Sequence, residues 1–146
     1  MPFDLDYNVV LNTHVLAMIA TLILVVISDV MALRWWYGWQ ETLSYQTMRN
    51  LHYAVASGLS ISIVTGALMA SSAFSYLLTQ PAFVLKMVLV LLLAINALVI
   101  HGHLILATER SYSSLKPSER RKLLLSGGAS TLGWMGVLIA SQFFAL

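Results

Sequence analysis

Four apolar stretches, residues 9–34, 48–73, 82–107 and 123–144, take up most of this 146-residue chain. Each is roughly 20 residues or more, and at about 1.5 Å rise per residue it matches a hydrocarbon core about 30 Å thick. No water is present there to satisfy backbone amides and carbonyls, so a helix, which closes its own hydrogen bonds, is the economical answer. Only 10% of residues are charged and 59% are hydrophobic; a soluble domain carries about 25% charged residues. Too little polar surface remains to face water. The expected fold is all-α, a transmembrane antiparallel four-helix bundle forming one integral membrane domain over residues 1–146.

The sequence has no cysteine, which excludes disulfides, iron–sulfur clusters and thiolate zinc sites. A net charge of +2 is not diffuse basicity, so the lipid bilayer rather than nucleic acid is the expected partner. The acidic start, with Asp4 and Asp6, is unlike the basic start of a signal peptide, and the first apolar run reads as a retained span.

With four spans, the first and third connections share one side of the membrane. That side carries Arg34, Arg49, Arg110, Lys116, Arg120, Arg121 and Lys122, seven of the eight basic residues. The positive-inside rule places both connections in the cytoplasm and both termini outside, with a bacterial inner membrane as the expected location. Trp35, Trp36, Tyr37 and Trp39 read as interfacial anchors, and Gly38 suits a left-handed helix cap. Pro81 and Pro117 sit near helix starts, and residues 111–122 read as a basic surface loop against anionic headgroups. Gly58, Ser62 and Gly66 form one small-residue stripe; Ala129, Gly133, Gly136 and Ala140 form another. Such stripes bring helix backbones together in lipid. The bundle is expected to form a homo-oligomer or to serve as a subunit of a membrane complex.

Ionisable groups in hydrocarbon cost on the order of a few kcal/mol on insertion scales and mark functional sites by default. Here they fall at two depths. His14 lies roughly 9 Å into the first span, and Lys86 enters the third from the same side at similar depth. Thr21 and Ser28 follow His14 at seven-residue intervals on one face. At the other end, Asp29, His52, His101 and His103 come from three different spans. His101 and His103 point to nearly opposite faces of one helix; His103 shares the face of Asn96, whose amide needs a partner.

Three chemistries suit these positions. Histidines at equal depth on adjacent helices, His52 with His101 or His103, can clamp the iron of haem b. Imidazoles with a carboxylate, drawn from His14, His52, His103 and Asp29, can bind copper or zinc. A buried lysine can hold an anionic substrate or move protons, and Lys86 beside His14 suits a porphyrin propionate. The structural alternative stands beside them: interfacial histidines tolerated near headgroups, Lys86 snorkelling, Asp29 paired with Arg34, and a non-catalytic accessory subunit.

Residues 83–103, FVLKMVLVLLLAINALVIHGH, resemble the third helix of the HemJ family, whose lysine Lys86 matches. His14 in Thr13-His14-Val15-Leu16 matches the family's first-helix histidine, and Arg49, Leu51, Ser57-Gly58-Leu59 and Thr65-Gly66 resemble its second helix. The CopD-like copper-resistance membrane domains share a similar layout. Asn96, where the family helix carries a histidine, and Ser28-Asp29-Val30-Met31, in place of a Leu-Pro-Arg-like exit, depart from the pattern. The resemblance implies haem b binding and protoporphyrinogen-oxidase-like activity or electron transfer, with a porphyrin or redox partner. His14 and one or two of His52, His101 and His103 would then ligate iron, with Lys86 and Arg49 on the propionates.

Overall fold

A computed structural model describes residues 6–142, with the backbone alone for residues 101–105. The elements are helices α1 (Tyr7–Trp36), α2 (Tyr45–Ala70), α3 (Phe74–Leu77), α4 (Pro81–Glu109) and α5 (Pro117–Gln142), with a 3-10 turn at Tyr112–Ser114 before α5. No strand occurs among the described residues. Four helices, α1, α2, α4 and α5, are long and apolar enough to cross a membrane, and the chain is an integral membrane protein. Helix α1 lies along α2 and α4 along α5; α2 also meets α4, while α1 and α5 touch least of these neighbours. The order around the bundle is therefore α1–α2–α4–α5, with α1 and α4 on one diagonal and α2 and α5 on the other.

Helix ends follow local chemistry. The Asp6 carboxylate accepts the Asn8 amide at 2.8 Å, an N-cap for α1. After Trp36, Gly38 takes φ 76°, the Gly38 amide donates to the Trp35 carbonyl at 3.1 Å and the Trp39 amide to Arg34 at 2.9 Å. This pair of bonds is the Schellman stop that a glycine permits.

Helix α5 starts at Pro117, so residues 117–122 form its first turns and not part of a surface loop. Glu119 explains the earlier start: its carboxylate accepts the Lys116 amide at 2.8 Å, and negative charge in a first turn is favourable. Arg120 reaches back to the Ser113 carbonyl at 2.6 Å and lies over the Tyr112 ring. Trp35 is a second correction. It is buried, not interfacial, because its indole N–H donates to the Arg110 carbonyl at 3.0 Å and Tyr112 meets its ring edge-on. Trp36, Tyr37 and Trp39 remain exposed.

Two apolar clusters hold the bundle. One at mid-depth joins Val25, Leu59, Leu93, Trp134 and Val137. The other closes the basic end with Trp35, Leu43, Met48, Ala107 and Leu115, tied by the Leu43 amide to the Ala107 carbonyl at 2.9 Å.

Small residues seat the helix pairs. A Cβ at Gly58 would collide with the Thr21 hydroxyl, and one at Gly66 would stand 3.3 Å from His14 Cε1. On α5, a Cβ at Gly133 would stand 2.8 Å from Leu93 Cδ2 and one at Gly136 2.9 Å from Leu89 Cδ1. Gly58→Val and Gly133→Val should therefore each destabilise the bundle by about 1–3 kcal/mol, the usual cost of overpacking. Reversible unfolding in mixed micelles measures this; wild-type stability in both variants would refute the close-seat reading.

Candidate functional site

The polar side chains inside the bundle gather in two layers. At the terminal end, His14 is buried and its Nδ1 lies 2.9 Å from Thr65 Oγ1. The Thr65 hydroxyl also reaches the Ile61 carbonyl at 2.7 Å and the Ser62 carbonyl at 3.3 Å on its own helix. Gly66 leaves room for the ring. Lys86 on α4 is half-buried. Ser62, one turn from both Thr65 and Gly58, is buried with its hydroxyl unbonded.

At the basic end, a cavity of about 490 Å³ lies between the two apolar clusters, walled by all four long helices. Its polar groups include Ser28 and Asp29 from α1, His52 from α2, and Ser130 and Thr131 from α5. Ser28 donates to its own helix at Leu24, as hydroxyls in membrane helices commonly do. Asp29 does not pair with Arg34, which is exposed; its carboxylate accepts the Thr131 hydroxyl at 2.9 Å. This bond crosses from α1 to α5, the least closely packed of the neighbouring pairs. Asn96 finds its partner on α5 as well, donating to the Ser126 carbonyl at 2.8 Å.

His14 and His52 are not brought together. Thirteen residues of α2 separate Thr65, the partner of His14, from His52, roughly 20 Å at helical rise. Arg49 is held at the start of α2, donating to Gln46 at 2.7 Å and lying over the Tyr45 ring, and it is absent from the cavity wall. Helix α4 passes the cavity between Ile100 and Ala107, the stretch that contains His101 and His103. The side chains of His101 and His103 lie outside the described residues. Among the described residues no three of histidine, aspartate and glutamate converge on a common centre, so Asp29 and His52 share a cavity without forming a three-ligand metal group.

The cavity has the size and lining of a small-molecule site. Ligand sites of roughly 300–1,000 Å³ are apolar with a few placed polar groups; this one is mainly apolar and supplies an imidazole. Thr131, Ser130, Tyr112 and the adjacent Gly127 and Gly128 complete it, and none of them stood out as site residues in the sequence. The one available signal was the glycine doublet, which breaks the four-residue spacing of the packing stripe.

No family model, curated protein or solved structure matches the chain, so the likeness to HemJ rests on the quoted residues alone.

The Asp29–Thr131 bond should be measurable. A double-mutant cycle on Asp29→Ala and Thr131→Val is expected to give a coupling of about 0.5–2 kcal/mol, the range for hydrogen bonds between membrane helices. Strict additivity of the two losses would count against the bond.

Proposed function

We propose that this protein binds haem b or a related porphyrin in the basic-end cavity and works in electron transfer or porphyrin oxidation. The observation that carries the reading is a mainly apolar chamber of about 490 Å³ with the His52 imidazole in its wall. His52 is the ligand that the described wall supplies. The chemistry such a group supplies when bound is one-electron transfer. Asp29, held by Thr131, sets a negative charge or a proton beside it. His14 and Lys86 do not line this cavity.

The optical spectrum of detergent-purified protein, expressed with ample haem and then reduced with dithionite, tests the reading. A Soret band with sharp reduced α and β bands is expected; His52→Ala should strip or shift it, and His14→Ala should leave it. Folded protein without Soret absorbance would defeat the reading. Stoichiometric copper or zinc in that colourless protein would favour the metal alternative, which Asp29 and His52 in one cavity also suit.

In the same reading the basic connections face the cytoplasm of a bacterial inner membrane, and both termini lie outside. The cysteine-free chain makes this easy to test. A Ser113→Cys variant should react with a membrane-impermeant thiol reagent in inverted vesicles and stay unlabelled in intact spheroplasts. Labelling only in spheroplasts would reverse the topology.

A further inference from the structure

A carboxylate within a membrane bundle is costly, and where one persists it pairs with another group or marks a site. Asp29 sits within α1, half-buried, in the wall of the basic-end cavity. The Thr131 hydroxyl answers its Oδ2, but a neutral hydroxyl does not balance a charge. No lysine or arginine stands in the described wall, and the ion pair found among the described residues joins Arg110 to Glu119. The rest of the lining is mainly apolar, with Trp35, Trp36 and Tyr112 among it. The Tyr112 ring lies 5.3 Å from Trp35 and 5.6 Å from Trp36 between centroids. A bare hard metal ion asks for about six oxygens, which one carboxylate and a few hydroxyls in an apolar chamber do not supply. A cation that carries its own apolar shell suits both the carboxylate and the rings, whose faces attract such ions.

We propose that the cavity binds a monovalent lipophilic organic cation, its charged centre against the Asp29 carboxylate and its apolar substituents toward Trp35 and Trp36. Trp36 follows Asp29 by seven residues on α1, which puts it on the same face roughly 10 Å away, so one ligand of drug size spans both. The inference does not rest on the porphyrin reading; a cation seated here would compete with a porphyrin for the same space.

The test is equilibrium dialysis of the full chain in detergent against labelled tetraphenylphosphonium. Tetraphenylborate, of nearly the same shape and opposite charge, is the second probe. The wild type should take up the cation saturably and the anion not. Asp29→Asn keeps the side-chain shape and should weaken the cation about tenfold or more, as losing one partner of a desolvated charge pair does. Glu41→Gln, exposed and outside the cavity wall, should bind as wild type does; an equal loss there would trace the effect to net charge and overturn the site. Wild-type protein that ignores the cation or takes both ions alike would overturn it too, as would folded Asp29→Asn with full affinity. If Asp29→Asn fails to fold, the wild type decides through a hydrophobic carbodiimide, which modifies carboxyl groups in apolar surroundings. Tetraphenylphosphonium should protect Asp29 from it, and modification at an unchanged rate would sink the proposal. The Soret test stands apart: colourless protein that binds the cation removes only the porphyrin reading, and coloured protein that ignores the cation removes only this one.

Discussion

A polar side chain in hydrocarbon has no water to turn to, so the hydroxyls, amides, imidazoles and carboxylates of this bundle turn to protein, the buried Ser62 hydroxyl excepted. The simplest answer is local. Thr21, Ser28, Ser60, Thr65 and Ser141 each return their hydrogen to the carbonyl four residues back. That arrangement removes the donor and keeps the helix interior apolar in effect, which lets Thr21 be the most deeply buried side chain. Side chains that cannot satisfy themselves locally are the ones that cross between helices: His14 to Thr65, Asp29 to Thr131 and Asn96 to Ser126. These three bonds tie α1 to α2, α1 to α5 and α4 to α5. The scarcity of polar groups thus becomes a source of register, because each crossing bond is made at one depth only.

The two halves of the bundle use the same materials differently. Toward the terminal end, small residues are consumed by close approach: Gly58 against Thr21, Gly66 against His14, Gly136 against Leu89. At the basic end, Gly127 and Gly128 of α5 line the cavity instead. An empty volume of this size forfeits dispersion contacts along its whole lining. The fold tolerates it because the apolar clusters above and below, centred on Trp134 and Trp35, are complete in themselves. The mid-depth cluster and the basic-end plug act as floor and roof, and the Asp29–Thr131 bond spans the side left open.

Architecture was legible in the sequence because its cause is local. Apolar length, the capping glycine at Gly38 and the prolines at Pro81 and Pro117 act within a few residues of themselves, and all recur in the structure. The seating of α1 on α2 through Gly58 and Gly66 was readable from spacing for the same reason. What escaped was the outcome of competition between distant partners. Trp35 carries the same composition signal as Trp36 and Trp39, and only the Arg110 carbonyl, 75 residues away, draws it inward. Asp29 has a basic residue five positions on, yet its partner comes from α5, 102 residues away. Helical phase explains the preference: five residues is a poor interval for a side-chain pair on one helix, whereas Thr131 faces α1 across the seam. A cavity is harder still to foresee, being an absence shared among four helices.

The separation of His14 from His52 decides which polar layer belongs to which kind of work. The His14 Nδ1 lies 2.9 Å from the Thr65 hydroxyl, beside a glycine that admits the ring. An imidazole so placed can act as an interhelical clamp without any ligand. His52 stands in the wall of a cavity of about 490 Å³. Roughly 20 Å of helix lies between the two depths, too far for one centre to use both. Lys86, half-buried on α4, is likewise absent from the chamber wall.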